Sequence, residues 1–420
     1  LKHLRRGLAA IASLALATAL CAVGAEPAAA ASPTSRTAPQ GHGTCTPTDP
    51  ELQRQGTAWT CIKLGPAPAS AVAAAPARAR AGNPGADQCL KDDQGNIPSI
   101  RTAYCTKYLA EYVTIGEDDK VNGRAQVLVL AAAAMNSLPK AAWAEEVRVY
   151  TLSMTPNIAY VTLQLSSTCS GQCTAGPLAW GGNPVQLKAG QAREDGQLSY
   201  SSSVGKGFDT MINIYYHING TIKTTTGTGV HRNTSLNWYG PTVRCDDKVG
   251  QWAGCIVNGH TANVTFHRSK YKGAAIAYEW AQIHLLSHPG TPGNLLNRWY
   301  VDPLDPKAKN RRALTCDRAP YAFPRGATGI PKDSCDEYPF ARTTQGGNPG
   351  QQCIDITPRE VGGVWDVANV QVDRGTPPNA PCIRAHVNED DNEAAGTEYG
   401  NAVLSDRIYE GEPFEVIIDP

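Results

Sequence analysis

The 420-residue chain lacks a charge excess of either sign, 38 Lys and Arg balancing 38 Asp and Glu. A globally basic surface, the usual footprint of nucleic-acid binding, is thereby excluded, and any such surface must be local. No CxxC pair occurs among the 13 cysteines, which removes the common zinc frameworks. Beyond the N-terminal segment, no apolar run is long enough to cross a bilayer. No repeat of fixed period is visible, so solenoids and propellers are set aside.

What is present begins with a leader. Lys2, Arg5 and Arg6 precede an apolar stretch, 8–25, and small residues follow at 28–32. This is the pattern of a secretory signal peptide over 1–32, and it predicts a secreted, extracellular protein with no membrane contact after signal removal. Of the 13 cysteines, Cys21 falls within the signal, leaving 12: Cys45, Cys61, Cys89, Cys105, Cys169, Cys173, Cys245, Cys255, Cys316, Cys335, Cys353 and Cys382. An even number in an exported chain argues for disulfides. The spacing invites pairing of sequence neighbours, 45 with 61, 89 with 105, 169 with 173, 245 with 255, 316 with 335 and 353 with 382.

Residues 33–86 are rich in Ala, Pro, Gly, Ser and Thr and read as a low-complexity linker or pro-region. A β-rich domain is expected over 87–270, opening with an apolar helix at 123–138, broken by Pro139. Alternation at 147–152, 160–165 and 212–218 points to antiparallel strands, and 140–270 to a sandwich-like domain. The period changes at Tyr271, where Ile276, Trp280 and Ile283 recur at helical spacing, with Pro289-Gly290 ending the segment. His284 and His288 stand four apart there, but Leu285 occupies the position where the zinc-protease pattern needs Glu, so helix-end packing is the better reading. The final domain is expected over 271–420.

Within it, the segment from Ser334 to Gly347 reads SCDEYPFARTTQGG. Adjacent carboxylates, Asp336 and Glu337, are followed by Tyr338 and by Pro339, which holds Tyr338 extended and turns the chain. Gly346-Gly347 supplies a turn, and Arg342 lies close by. A basic run, Lys307, Lys309, Arg311, Arg312, Arg318, Arg325 and Lys332, precedes the acidic pair, while the end of the chain is acidic. A cationic approach beside an acidic site suits work on an anionic substrate.

CDEYPFA followed by GG resembles the signature of the secreted bacterial NucA/NucB deoxyribonucleases. Asp391-Asn392-Glu393-Ala394-Ala395-Gly396, then Gly400-Asn401, is similar to that family's second motif, and the resemblance covers about 271–420. It implies a small ββα-metal-like nuclease domain, so that with the N-terminal β-rich sandwich-like domain read above the whole chain is expected to be α+β. It also implies a metal-dependent, non-specific endonuclease acting on DNA, with Mg²⁺ or Mn²⁺ as cofactor and no obligate protein partner. Asp336 matches the position of the base, with Glu337 as the neighbour that exchanges roles with it if the assignment is reversed. Asn392 and Asn401 match the asparagines that ligate metal. Glu393 stands where the family carries Arg, so a phosphate contact is expected either to be missing or to be supplied by Arg342 or Arg384. Two readings compete. One is a non-catalytic secreted binding protein for cell wall or polysaccharide with a degenerate nuclease-like domain. The other is glycoside hydrolysis by the paired carboxylates, which opposite faces of a strand fit poorly.

Overall fold

Alternating apolar and polar residues build most of the chain into antiparallel sheets. The computed structural model describes residues 38–75, 89, 100–135, 140–176, 178–190, 194–225, 230–231, 235–300, 306–372 and 379–420. The expected signal peptide lies outside the described residues, and none of the described helices is long and apolar enough to cross a membrane.

A seven-stranded sheet runs in the order Thr44–Pro47, β1 (Trp59–Pro66), β2 (Ala103–Ile115), β3 (Val121–Ala134), β4 (Ala142–Met154), Glu194–Ser202 and Cys173–Ala175. A second sheet is built on β5 (Ile158–Cys169), β6 (Asp209–Thr224) and β7 (Ser235–Asp246), with shorter strands at its edges. Val127 and Val149 from the first sheet share one core with Val161, Ile214 and Tyr216 from the second. The β-rich sandwich is thus present.

It starts earlier than expected, and without the expected helix. Residues 44–73 lie in the stretch read as linker, yet β1 pairs with β2 along its whole length and buries Ile62 completely. The segment 123–138 is strand β3 as far as Ala134, not a helix. Its run of Val, Leu and Ala conceals the period of two because both faces are buried. Val127, Val129 and Ala131 enter the sandwich core, while Leu128, Leu130 and Ala132 pack outward under Ala67 and Cys89.

The C-terminal region has its own core. Strand β8 (Ala262–His267) leads into helix α1 (Arg268–His284), as the change of period predicts, and His284 stacks on Trp280 at the helix end. Helix α2 (Pro306–Cys316) precedes β9 (Asp333–Tyr338), β10 (Cys353–Val361), β11 (Val364–Val372), β12 (Cys382–Asn388), helix α3 (Glu389–Ser405) and β13 (Pro413–Asp419). Four strands pair in the order β9-β12-β10-β11, and α1 and α3 cover one side of that sheet. β8 precedes the expected boundary at 270/271 but pairs in parallel with β13 along its length.

All six expected disulfides are formed. Each closed loop removes freedom from the unfolded chain, typically stabilising by about 2–4 kcal/mol. Residues 38–420 form one compact unit. Buried ion pairs join its two parts: Arg407 grips Asp246 with Nη2 to Oδ1 at 2.7 Å and Nε to Oδ2 at 3.0 Å, and Arg244 reaches Glu412 at 2.8 Å.

Candidate active site

The site strand, β9, pairs with β12 so that Asp336 lies opposite Ala385 and Glu337 opposite Arg384. Side chains alternate across a strand, so the two carboxylates point to opposite faces. Asp336 and Tyr338 share the face covered by α1 and α3, whereas Cys335 and Glu337 face α2. The geometry sets aside the glycosidase reading, which needs both carboxylates to flank one bond.

Asp336 is only 5% exposed. Its Oδ2 is buried and accepts no hydrogen bond from the protein. The Tyr278 hydroxyl of α1 faces the carboxyl, and its own ring stacks on Tyr338 at 5.1 Å. Burial pushes the Asp336 carboxyl up to about 8, the Glu337 charge adding to the rise and the Tyr278 hydrogen bond opposing it. Glu337 is pushed up to about 7, again by burial, with Arg312 at 3.6 Å opposing.

The turn after β9 explains the rest of the motif. Tyr338-Pro339 is a cis peptide. Gly346 passes so close to Phe340 that a Cβ there would lie 1.9 Å from its carbonyl oxygen, and Gly347 takes a φ of +68°. Arg311 of α2 holds this turn, donating to the carbonyls of Ala341 at 2.8 Å and Thr343 at 2.6 Å. Much of the basic run is therefore engaged within the protein: Arg312 stands by Glu337, Arg325 pairs with Asp317 and Lys332 with Asp390.

Helix α3 brings Asn392 to the site strand. Its Nδ2 donates to Ser334 Oγ at 3.0 Å and to the Cys335 carbonyl at 3.1 Å, which leaves Oδ1 free of those bonds. Asn388, not Asn392, caps the helix, accepting from the Asp390 N–H at 2.9 Å. Asn401 does not join it. Nine residues further on at about 100° per residue, it lies on the opposite side of α3, exposed to solvent. Arg342 is half-buried near Tyr399 and Arg298, and its carbonyl accepts from Tyr399. Arg384 is no free phosphate ligand, because it is buried in a bidentate pair with Asp355 at 2.6 Å.

Two arrangements escaped the sequence reading. Tyr278 reaches Asp336 from a helix far upstream, a contact only the fold creates. His386, opposite Cys335 on β12, carries Nδ1 at 2.8 Å from Asp333 and packs at a tilt against the Phe323 ring. Its place in the alternating segment CIRAHVN marks it as strand and nothing more.

Two donor sets bear on a metal. Cys316, Cys335 and Glu337 bring ligand-type atoms within 4.8 Å of one another. Both sulfurs are consumed in one disulfide, however, and a disulfide sulfur is not a thiolate ligand. The second is the Asn392 amide oxygen, a hard donor of the kind that suits Mg²⁺ or Mn²⁺ rather than a soft ion.

Residues 296–363, in the C-terminal region, match the family described as Deoxyribonuclease NucA/NucB, the family that the motif at 334–347 resembles. No curated protein matches the chain. The family match contains β9 and the turn behind it and ends before α3, so Asn392 and Asn401 lie outside it.

Proposed function

We propose that the protein is a secreted, metal-dependent, non-specific endonuclease that hydrolyses DNA phosphodiester bonds. The observation that carries the reading is Asp336: a buried carboxyl with one unpartnered oxygen, on the strand that matches a deoxyribonuclease family. A phosphodiester is a poor electrophile, and its hydrolysis needs a base for the attacking water and a cation for the developing charge. Asp336 is the base. Its raised affinity for a proton places it near the pH at which base catalysis is most effective. Tyr278 fixes the carboxyl's orientation, and Asn392, tied to the same strand through Nδ2, offers Oδ1 to the metal. The cation, when bound, neutralises charge on the phosphate oxygens. Glu337 lies across the strand from this chemistry, and with Arg312 it forms an ion pair on the other face. Arg342 is the remaining candidate for a phosphate contact. The disulfides support the extracellular assignment, since such bonds persist in oxidising compartments.

Supercoiled plasmid incubated with the purified protein should be nicked in the presence of Mg²⁺ or Mn²⁺, and EDTA should abolish the nicking. Plasmid left intact under every metal condition overturns the reading and favours a binding protein with a degenerate nuclease-like region.

A further inference from the structure

The six-stranded sheet turns one side to the core and the other to solvent. On β6, Ile214, Tyr216 and Ile218 are fully buried, so Asn213, Tyr215, His217 and Asn219 face outward. The register sets Tyr215 opposite Tyr239 and His217 opposite Asn237 on β7. The two tyrosine rings meet edge to face at 5.1 Å, and Tyr239 is 73% exposed. Beside them, the His217 ring is held between Thr168 at 3.1 Å and Asn237 at 2.8 Å, while Asn213 accepts from Thr242 at 3.0 Å. Residues 158–168, 213–224 and 235–242, which form this part of the sheet, contain no Asp or Glu, and Lys223 is their only Lys or Arg.

Soluble surfaces ordinarily intersperse charges of both signs. This face substitutes amides and hydroxyls around an exposed aromatic pair, and that chemistry is complementary to a ligand that is itself uncharged and rich in hydroxyls. We propose that it binds a neutral polysaccharide, with sugar rings stacking on Tyr239 and Tyr215 and sugar hydroxyls bonding to Asn213, His217 and Asn237. Tyrosine presents a large rigid area at small entropic cost, and polar groups already held by neighbours lose little freedom on binding. DNA is disfavoured here because these three segments supply a single basic residue, Lys223, too few to neutralise a phosphate backbone. The inference goes beyond the nuclease reading and does not depend on it: the sandwich anchors the chain to an extracellular polysaccharide.

The full chain is incubated separately with microcrystalline cellulose and with chitin, and the protein left in solution is measured. At least one polymer should deplete it, and depletion should persist at about 0.5 M NaCl, where ionic contacts are screened. Tyr239→Ala should weaken binding by about tenfold or more, whereas Tyr239→Phe should retain it. Depletion by neither polymer, depletion abolished by salt, or equal depletion of Tyr239→Ala overturns the proposal. Plasmid nicking by the same preparations tests the nuclease reading separately and should not change with Tyr239→Ala.

Discussion

Each β platform of this protein buries a carboxyl group, and the two are treated differently. Glu145 in the sandwich is fully buried, yet both its oxygens are satisfied: Tyr200 donates to Oε2 at 2.9 Å and Tyr216 donates to Oε1. Trp143 in turn donates to Tyr104, which also faces Glu145. Asp336 in the C-terminal region is nearly as buried, but one oxygen has no partner in the protein. Burial raises both acids, Glu145 to about 7 against three tyrosine hydrogen bonds and Asp336 to about 8 against one. A perturbed carboxyl is therefore not in itself a functional one. What separates the two is the unfilled hydrogen-bonding capacity, which leaves one Asp336 oxygen available to a ligand or a reacting group.

The comparison breaks most sharply by mutation. Asp336→Ala should lower plasmid cleavage by about 10²–10⁴-fold, the usual range for a general base, and leave a cooperative thermal transition. Glu145→Ala should do the reverse. It strands buried tyrosine hydroxyls and should cost about 3 kcal/mol or more in denaturant titrations, with activity per folded molecule unchanged. A folded but inactive Glu145→Ala protein would falsify the division. Glu337→Gln is the control across the strand: if it is the inactive variant and Asp336→Ala cleaves normally, the roles are reversed.

Asn392→Ala should be smaller in effect, about tenfold or more in rate, and partly restored by excess Mg²⁺ or Mn²⁺. Asp336→Ala should gain nothing from added metal. Rescue of both variants alike would remove the distinction between base and ligand.

Acidity sharpens the contrast further. A group whose folded pKa is raised above the unfolded value contributes stability below the unfolded pKa, and loses it as pH rises through the folded pKa. For Asp336 that window runs from about 4 to about 8, so Tm should fall across it and Asp336→Asn should flatten the fall. Cleavage should move the opposite way and rise with pH toward about 8 as the base ionises. The smallest effect is expected of Asn401→Ala, which should cleave and melt like the unaltered protein because the residue is exposed on the far side of α3.

Much of this was legible in the residues. Local cysteine spacing suffices for the disulfides because each pair closes a short loop. The helix at 268–284 shows its period because one face meets the core and the other water. β3 hides its period because both faces are covered, and alanine, a strong helix former, fills the run. The motif at 334–347 marks the site strand, but sequence order does not tell which side of it a carboxylate faces. Asn392 and Asn401 look like partners when written in a line. The turn of α3 separates them.

The sheet order sets when the C-terminal region completes its fold. β13 lies between β8 and Leu296–Asn297 and bonds to both, so residues 262–412 hold an incomplete sheet until 413–419 arrive. A ribosome delivers these segments in sequence, and the pairing spans a long intervening chain, which closes slowly. Asp336 on β9 is made well before β13. The pairing of 262–267 is therefore completed only by a strand made about 150 residues later, so the C-terminal region closes its fold late in its own synthesis.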